Sequence, residues 1–507
     1  MVFADARLPV TELLASLSLA TDLGTGQPLG HGLSTSHLAL ALAREMGCPP
    51  EQARHVHWLA LIRFLGCTSD AAETARMVGD DELSFMAGFA SSHMGTTGEA
   101  IRALARTVGK GQPAVRRARL LVAALADPDG GADGLAGHCE VGAMLAGRLG
   151  LPDEVITGLQ YAYERWDGKG PFGLEGEQVP VEVRVAMVAR DADLIGRLGE
   201  DVSSVLRRRR GRAYDPRVVD VFIESSPPHH EVKWEEVIGA EPEPVAQIAD
   251  IEAALSAMAD FVDIKSPWTR GHSRRVAELA SLAGEAAGLG PEGSRQLGRA
   301  GLVHDLGRVG IENGVWDKPG SLSAGEWEKV RLHPYLTQRI LTRCHALADL
   351  ADLASSHHER LDGSGYHRQA IGGQISQQAR ILAAADVMAA LMSERPHRPS
   401  RDLDEASRLL EDEASGGRLD PGAVAHVISA AGGTSAPTGQ ANPGGLTDRE
   451  VEVLGFLARG HTNRKVGELL FISPKTVGRH VENIYAKIGV STRAGATVYA
   501  MEHQLLG

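Results

Sequence analysis

GHGLSTSHLALALAREMGCPPEQARHVHWLALIRFLGC at 30–67 aligns without gaps to GHSRRVAELASLAGEAAGLGPEGSRQLGRAGLVHDLGR at 271–308. The pairing sets His31 on His272, Arg63–Phe64 on His304–Asp305, and Cys67 on Arg308. A second match follows downstream. QYAYERWDGKGPF (160–172) and SSHHERLDGSGYH (355–367) share Glu, Arg, Asp and two Gly, but Ala162–Tyr163 stands opposite His357–His358. The internal spacings are equal: 32 residues from His31 to Arg63 and from His272 to His304, and 24 from His138 to Ala162 and from His333 to His357. Between these anchors the first copy is longer, with 75 residues from Arg63 to His138 against 29 from His304 to His333. Such spacing marks a duplication rather than chance likeness between Ala/Leu-rich segments. Apolar residues recur at intervals of three and four, strand-type alternation is scarce, and aromatics are only 4%, so the fold class is all-α.

The chain has 507 residues, too many for one core, and two stretches read as linkers. ESSPPHHEVKWEEVIGAEPEPVA (224–246) is rich in Pro and Glu, and AGGTSAPTGQANPGG (431–445) is rich in Gly, Pro, Ser and Thr. They divide the chain into domains at 1–223, 247–430 and 446–507. A formal charge of −13 argues against a protein that coats nucleic acid along its whole length. Cys48, Cys67, Cys139 and Cys344 form no CxxC, so neither a disulfide framework nor a thiolate zinc site is indicated. MVFADARLPVTELL has no basic start followed by an apolar stretch, and no run of about 18 apolar residues occurs. The expectation is a cytoplasmic protein without a membrane partner.

Imidazoles and carboxylates gather in the second copy: His272, His304–Asp305, His333, His357–His358 and Asp386. This donor set suits Fe, Mn or Zn better than Mg or Ca. Seven groups exceed what one catalytic metal takes, whereas two cations about 3.5–4 Å apart, sharing one carboxylate, would use them all. A binuclear site of this kind supplies hydroxide at neutral pH and neutralises phosphoryl oxygen. RQLGRAGLVHDLGRVGI (295–311) reads as one buried helix, which would put His304 and Arg308 on one face, the guanidinium free to take a phosphate. After the histidine pair, the Gly-rich turn DGSGY brings backbone close to a ligand. His345, His397 and His426 read as ordinary core or surface residues. The first copy keeps the helical pattern and loses both the His–Asp and His–His pairs, which joint packing roles would not explain.

HDLGR, DKPGSLSAGEWEKVRLHPYLTQRIL, HHERLDGSGYH and ARILAAADVMAALMSERPHRP resemble, in order, the HD-GYP subgroup of the HD metal-dependent phosphohydrolases, over about 266–430. The resemblance implies an all-helical fold, divalent metals that are often iron or manganese, and hydrolysis of cyclic di-GMP. It implies His272, His304, Asp305, His333, His357, His358 and Asp386 as metal ligands, with Asp305 as the bridging carboxylate. It also implies nucleotide contacts from Gly363, Gly365, Tyr366, Arg395 and Arg398. An aromatic ring stacks on guanine and guanidinium groups take phosphates. Three positions depart from the family: Arg308 stands where Lys is usual, His367 where Pro is usual, and Trp268 where trimetal members carry Glu. Two metals are therefore expected. The first copy resembles a degenerate HD domain, suited to packing, dimerisation or signal binding.

In the last sixty residues, Thr447 and Glu450 form a capping box, and Ser473 with Pro474 opens a further helix. Val477, Val481, Ile484 and Ile488 make an inner stripe, while Lys475, Thr476, Arg479, Asn483 and Lys487 lie opposite. Residues 446–507 carry a charge of +2 against −15 for the remainder. Two short helices before a longer one with a basic outer face suit a helix-turn-helix in the major groove. LTDREVEVL…ARGHTNRKVGELLFISPKTVGRHVENIYAKIGVSTR closely resembles the LuxR-type DNA-binding domain. That resemblance implies a four-helix unit, a dimer on double-stranded DNA, and groove- or backbone-facing Lys475, Thr476, Arg479 and His480. Gly478 stands where the family often has a basic residue, which removes a phosphate contact.

The assembled reading is two tandem HD-type helical domains followed by a helix-turn-helix domain. Asp305 and Arg308 are the candidate catalytic residues of a cyclic-dinucleotide phosphodiesterase coupled to transcription. Two alternatives stand beside it: a nucleotide sensor with a slow metal centre, kept open by Arg308 and His367, and a phosphatase for another nucleotide.

Overall fold

The computed structural model describes residues 8–90, 92, 97–126, 130–225, 231–433 and 442–506. Parts of both linker stretches, 226–230 and 434–441, lie outside the described residues. The all-α expectation holds: among the described residues, helices are joined by turns, and extended pairing is limited to isolated bridges. Two compact units form, one of Met1–Ala254 with Glu312–Gly314, the other of Leu255–Ile311 with Val315–Gly507.

In the first unit, α1 (Val10–Gly24), α2 (His31–Glu45) and α3 (Pro50–Ile62) pack with α4 (Gly130–Arg148) and α5 (Val181–Arg197). In the second unit, α6 (Ile251–Asp263), α7 (His272–Ala286) and α8 (Gly290–Val303) repeat the order, with α9 (His333–Leu341) and α10 (Gln377–Met392) following. The same sequence logic builds both. A carboxylate near the end of the first helix receives the start of the next. Asp22 accepts Gly30 N–H at 2.9 Å and Gly32 N–H at 3.1 Å. Asp263 accepts Ser273 N–H and Ser273 Oγ–H, both at 2.8 Å. These bonds satisfy donors that a helix start leaves open, so His31 and His272 begin their helices at fixed positions.

One sequence expectation fails here. Residues 295–311 are not one helix: α8 ends at Val303, and Leu306–Gly310 is a tight 3₁₀ turn. The cause is a close approach. A Cβ on Gly307 would lie 2.2 Å from the carbonyl oxygen of His333. Gly307 N–H also donates to Thr337 Oγ1 at 2.9 Å, and that hydroxyl donates to the His304 carbonyl at 3.0 Å. Tertiary packing onto α9 thus overrides local helix propensity. The aligned Gly66 does the same in the first repeat, where a Cβ would meet the His138 carbonyl at 1.9 Å.

The C-terminal domain holds α11 (Asp448–Ala458), α12 (Asn463–Leu470), α13 (Pro474–Ile488) and α14 (Arg493–Glu502). Thr447 and Glu450 close a reciprocal capping box, and Ser473 Oγ accepts Thr476 N–H at 3.0 Å. Val453, Leu454, Val466, Val477 and Ile484 are fully buried between the four helices. Within the second unit this domain touches the segment that precedes α7. Arg270 donates to the Ala458 carbonyl, and a Cβ on Gly460 would lie 3.7 Å from Pro267 Cβ.

Candidate metal centre

The end of α8, the starts of α7 and α9, the turn after Ala354 and the middle of α10 each deliver donors to one buried place. Three clusters share members: His272 with His304 and Asp386; His304 with Asp305 and His357; and His333 with His357 and His358. Asp305 lies between them. Its Oδ1 is 3.3 Å from His333 Nε2 and 3.6 Å from His357 Nε2, and its Oδ2 is 3.7 Å from His304 Nε2. Asp386 Oδ1 is 3.1 Å from His272 Nε2 and 3.8 Å from His304 Nε2, and Oδ2 is 3.9 Å from His358 Nδ1. All seven predicted ligands therefore converge.

A recurring local device aims three of the rings. The Nδ1 atoms of His304, His333 and His357 face the carbonyls of Gly301, Val330 and Ala354 at 2.8, 2.6 and 2.7 Å. Each carbonyl is three residues back in the chain, so Nδ1 holds the proton and Nε2 is left as a ligand atom. Burial pushes His272 down to about 4 and His333 down to about 3, and lowers His304 and His358 as well. Those rings are neutral, the form that binds a cation. His357 departs from this: burial lowers it, but Asp305 and Asp386 outweigh burial and raise it. Burial would raise the two aspartates, yet the surrounding imidazoles hold Asp305 and Asp386 below the usual carboxylate range. His304 Nε2 and His272 Nδ1 are buried without a hydrogen-bond partner. An unsatisfied imidazole nitrogen beside two ionised carboxylates fits a cation as its missing partner.

The predicted substrate residues separate. Arg308 is buried, donates to Asp305 Oδ2 at 3.0 Å and lies over the Trp316 ring at 4.3 Å. Its guanidinium is thus a partner of Asp305, which the single-helix reading had left free. Arg395 donates to the Trp268 carbonyl at 3.2 Å and faces Arg308, Asp386 and Asp305; burial first, then Arg308, pushes it down to about 10. Arg398 is spent on structure: it donates to the carbonyls of Ala390, Leu391 and Ser393 at the end of α10. Tyr366 stacks on His358 at 4.7 Å, at the edge of the clusters. Gly363 and Gly365 serve the loop's own fold. A Cβ on Gly365 would meet Arg360 N at 2.4 Å, and one on Gly363 would meet Ile371 at 2.7 Å. His367 turns outward, 3.3 Å from Gln338 Oε1.

Sequence reasoning missed Glu359, the buried carboxylate that accepts Arg368 N–H at 2.7 Å and Ala370 N–H at 2.8 Å and so fixes the loop after the histidine pair. Its presence in both copies of the loop was the available signal. On the C-terminal domain, Lys475, Thr476, Arg479 and Asn483 are exposed on α13 and His480 is half-buried, while Val477 and Ile484 face the core. Lys487 is exposed too, but it pairs with Glu450 at 2.6 Å.

Comparison with known proteins agrees with this geometry. Residues 256–422 match the family described as "HD domain", and residues 445–500 match "Bacterial regulatory proteins, luxR family". The chain is 29% identical over 428 residues to 3'3'-cGAMP-specific phosphodiesterase 3 of Vibrio cholerae, spanning 81% of this chain and 92% of that protein. It is 35% identical over 173 residues to the cyclic di-GMP phosphodiesterase response regulator RpfG of Xanthomonas campestris, spanning 34% of this chain and 45% of that one. A crystal structure titled as the cyclic GMP-AMP specific phosphodiesterase V-cGAP3 of V. cholerae superposes with a TM-score of 0.57 at 25% identity, covering 85% of this chain and 99% of that chain. Among the described residues no helix is long and apolar enough to cross a membrane.

Proposed function

We propose that this chain, which joins an HD domain with HD-GYP-type relatives to a LuxR-type DNA-binding domain, hydrolyses a cyclic dinucleotide and regulates transcription. The observation that carries the reading is the convergence of four neutral imidazoles, His357 and two ionised carboxylates on one buried place, with Asp305 between the clusters. His272, His304, Asp305 and Asp386 would hold one divalent cation, and Asp305, His333, His357 and His358 a second. Iron or manganese suits this mixed nitrogen and oxygen set, with zinc as the other candidate. When bound, such a pair activates water and neutralises phosphoryl oxygen.

The chain's own residues supply the rest. Arg308 holds Asp305 in place through a charged hydrogen bond, and Trp316 holds Arg308 flat. Arg395 offers a cationic fork to a substrate phosphate, and Tyr366 offers a ring beside His358 for a base. Cyclic GMP-AMP and cyclic di-GMP are the substrates to try first, because the relatives carry those names. The contact of Arg270 with Ala458, two residues before His272, supports coupling between the nucleotide site and DNA binding. The working form is a cytoplasmic homodimer on double-stranded DNA, read by Lys475, Thr476, Arg479, His480 and Asn483.

The test is metal analysis of anaerobically purified protein, then a product assay across cyclic dinucleotides. The expected result is about two metals per chain and a linear product. Ligand-dependent DNA binding with no product would favour the sensor reading, which the engagement of Arg308 by Asp305 keeps in view.

A further inference from the structure

The first repeat has its own chemistry at the place where the second gathers metal ligands. Cys67 aligns with Arg308 and is buried. Its sulfur lies 3.0 Å from the Tyr163 hydroxyl, at the position of His358. His138, aligned with the ligand His333, hydrogen-bonds the Cys67 side chain on one side and has Nε2 2.7 Å from Asp70 Oδ1 on the other. The remaining ring nitrogen, Nδ1, is buried and makes no other hydrogen bond. Arg63 adds a positive charge that interacts with Cys67 and lies over the Tyr163 ring at 5.0 Å. A thiol, an imidazole within reach and a carboxylate that orients the imidazole are the parts of an activated nucleophile.

We propose that Cys67, His138 and Asp70 form an oxidant-sensing thiol site, in which a hydroperoxide converts Cys67 to a sulfenic acid. The thiol proton passes to His138, held by Asp70. The sulfur attacks the terminal oxygen of the hydroperoxide, an S–O bond forms and the O–O bond breaks. The departing oxygen takes the proton from His138 and leaves as water or an alcohol. Sulfur loses two electrons and the peroxide gains two. Tyr163 donates its hydroxyl hydrogen to the sulfur as negative charge develops there. Burial opposes a charged His138, but Asp70 and Cys67 hold it well above the usual imidazole range, so it keeps the proton it takes. The way in is from the carboxylate side, where the side chains of His138 and Asp70 are 11% and 23% exposed.

The chain contains its own control. Cys48 is more exposed than Cys67, yet burial and the Glu182 charge raise its pKa above the ordinary thiol value. The full-length protein is treated with hydrogen peroxide at pH 7, trapped with a sulfenic-acid-specific 1,3-dione, and each cysteine peptide is quantified over time. Cys67 is expected to be labelled at least ten-fold faster than Cys48 in the unaltered protein, a comparison that needs no variant. His138→Asn is expected to slow Cys67 at least ten-fold, and Asp70→Asn to slow it by less, with the Cys48 rate unchanged in both. Faster labelling of Cys48 than of Cys67, or a Cys67 rate indifferent to His138→Asn in a folded variant, overturns the proposal.

Discussion

In the second repeat Asp305 and Asp386 face five imidazoles, whereas in the first the aligned positions hold Phe64 and Arg190. The match of Arg190 to Asp386 comes from the structure. Gln178 accepts Glu175 N–H at 3.0 Å and Gln374 accepts Ile371 N–H at 2.9 Å, and α5 and α10 are counted from those equivalent turns. Arg63 replaces His304 and donates to the carbonyl of Ala162, the residue that replaces His357. Arg190 pairs with Asp191, its neighbour in the chain. The first repeat thus supplies its own cations, as buried guanidiniums, where the second leaves anions and imidazoles for an external one. The frame is common to both: Asp22 and Asp263, each pushed up to about 8 by burial, and Gly66 and Gly307 against a histidine carbonyl. Frame and site are separable in this fold, and the frame does not need a metal in order to form.

The sharpest break of the comparison is at the bridging carboxylate. Asp305→Ala is expected to lower metal content and to reduce phosphodiester turnover at least 100-fold, because a shared ligand serves both clusters. Phe64→Ala, at the aligned place in the first repeat, is expected to leave both unchanged. Elemental analysis and a product assay on the two variants decide it; equal turnover in Asp305→Ala and the parent protein would show that the clusters are not the reactive centre.

Next in size is the loop staple. Glu359 accepts two backbone N–H groups, and Glu164 accepts Phe172 N–H at 2.6 Å and Leu174 N–H at 2.8 Å in the first repeat. Replacing either by Ala leaves two donors without their acceptor, a cost of about 2–6 kcal/mol. Both variants should lose similar stability by denaturant titration. Only Glu359→Ala should also lose turnover, since its loop carries His357 and His358.

Acid separates the repeats in a third way. His57 is buried in the first repeat, where the second has Gly298, and burial pushes it from 6.5 down to about 4. Between those values the unfolded chain binds a proton and the folded chain does not, so stability falls as pH falls through this window. The slope is about 1.4 kcal/mol per pH unit, roughly 3 kcal/mol in all. Hydrogen exchange in α2 and α3 should accelerate from pH 6.5 to 4, and His57→Leu should flatten that dependence. A slope unchanged by the substitution would remove His57 from the account.

These contrasts also show what could be read from the residues alone. Apolar spacing of three and four carried the helical class, and equal intervals between histidines carried the duplication and all seven ligand positions. The helix end at Val303 was not legible, because HDLGR contains nothing that forbids a helix; the break comes from Gly307 lying on a chain segment 26 residues later. Arg395 and Arg398 look alike in sequence, and only the helix end beneath Arg398 decides that its charge goes to carbonyls. Arg190 escaped because the second repeat's loop is one residue longer, which hides the register until the turns at Gln178 and Gln374 are matched.

The finest contrast lies where the two frames differ by one hydroxyl. Asp263 accepts both the N–H and the Oγ–H of Ser273, whereas Asp22 accepts only backbone donors around Gly32. Ser273→Gly makes the second repeat resemble the first and removes one hydrogen bond, about 1 kcal/mol. His272 begins the same helix, so metal affinity should fall no more than a few-fold. The reverse change is not symmetrical. A Cβ at Gly32 would lie 3.0 Å from Ser18 Cβ, so Gly32→Ser gains a hydroxyl for Asp22 only by pressing α2 away from α1. Thermal melts of the two variants test this: Ser273→Gly should lower the midpoint slightly, and Gly32→Ser should lower it more. A stabilised Gly32→Ser would mean that the two helix starts are interchangeable, and that the first repeat lost its serine for a reason other than space.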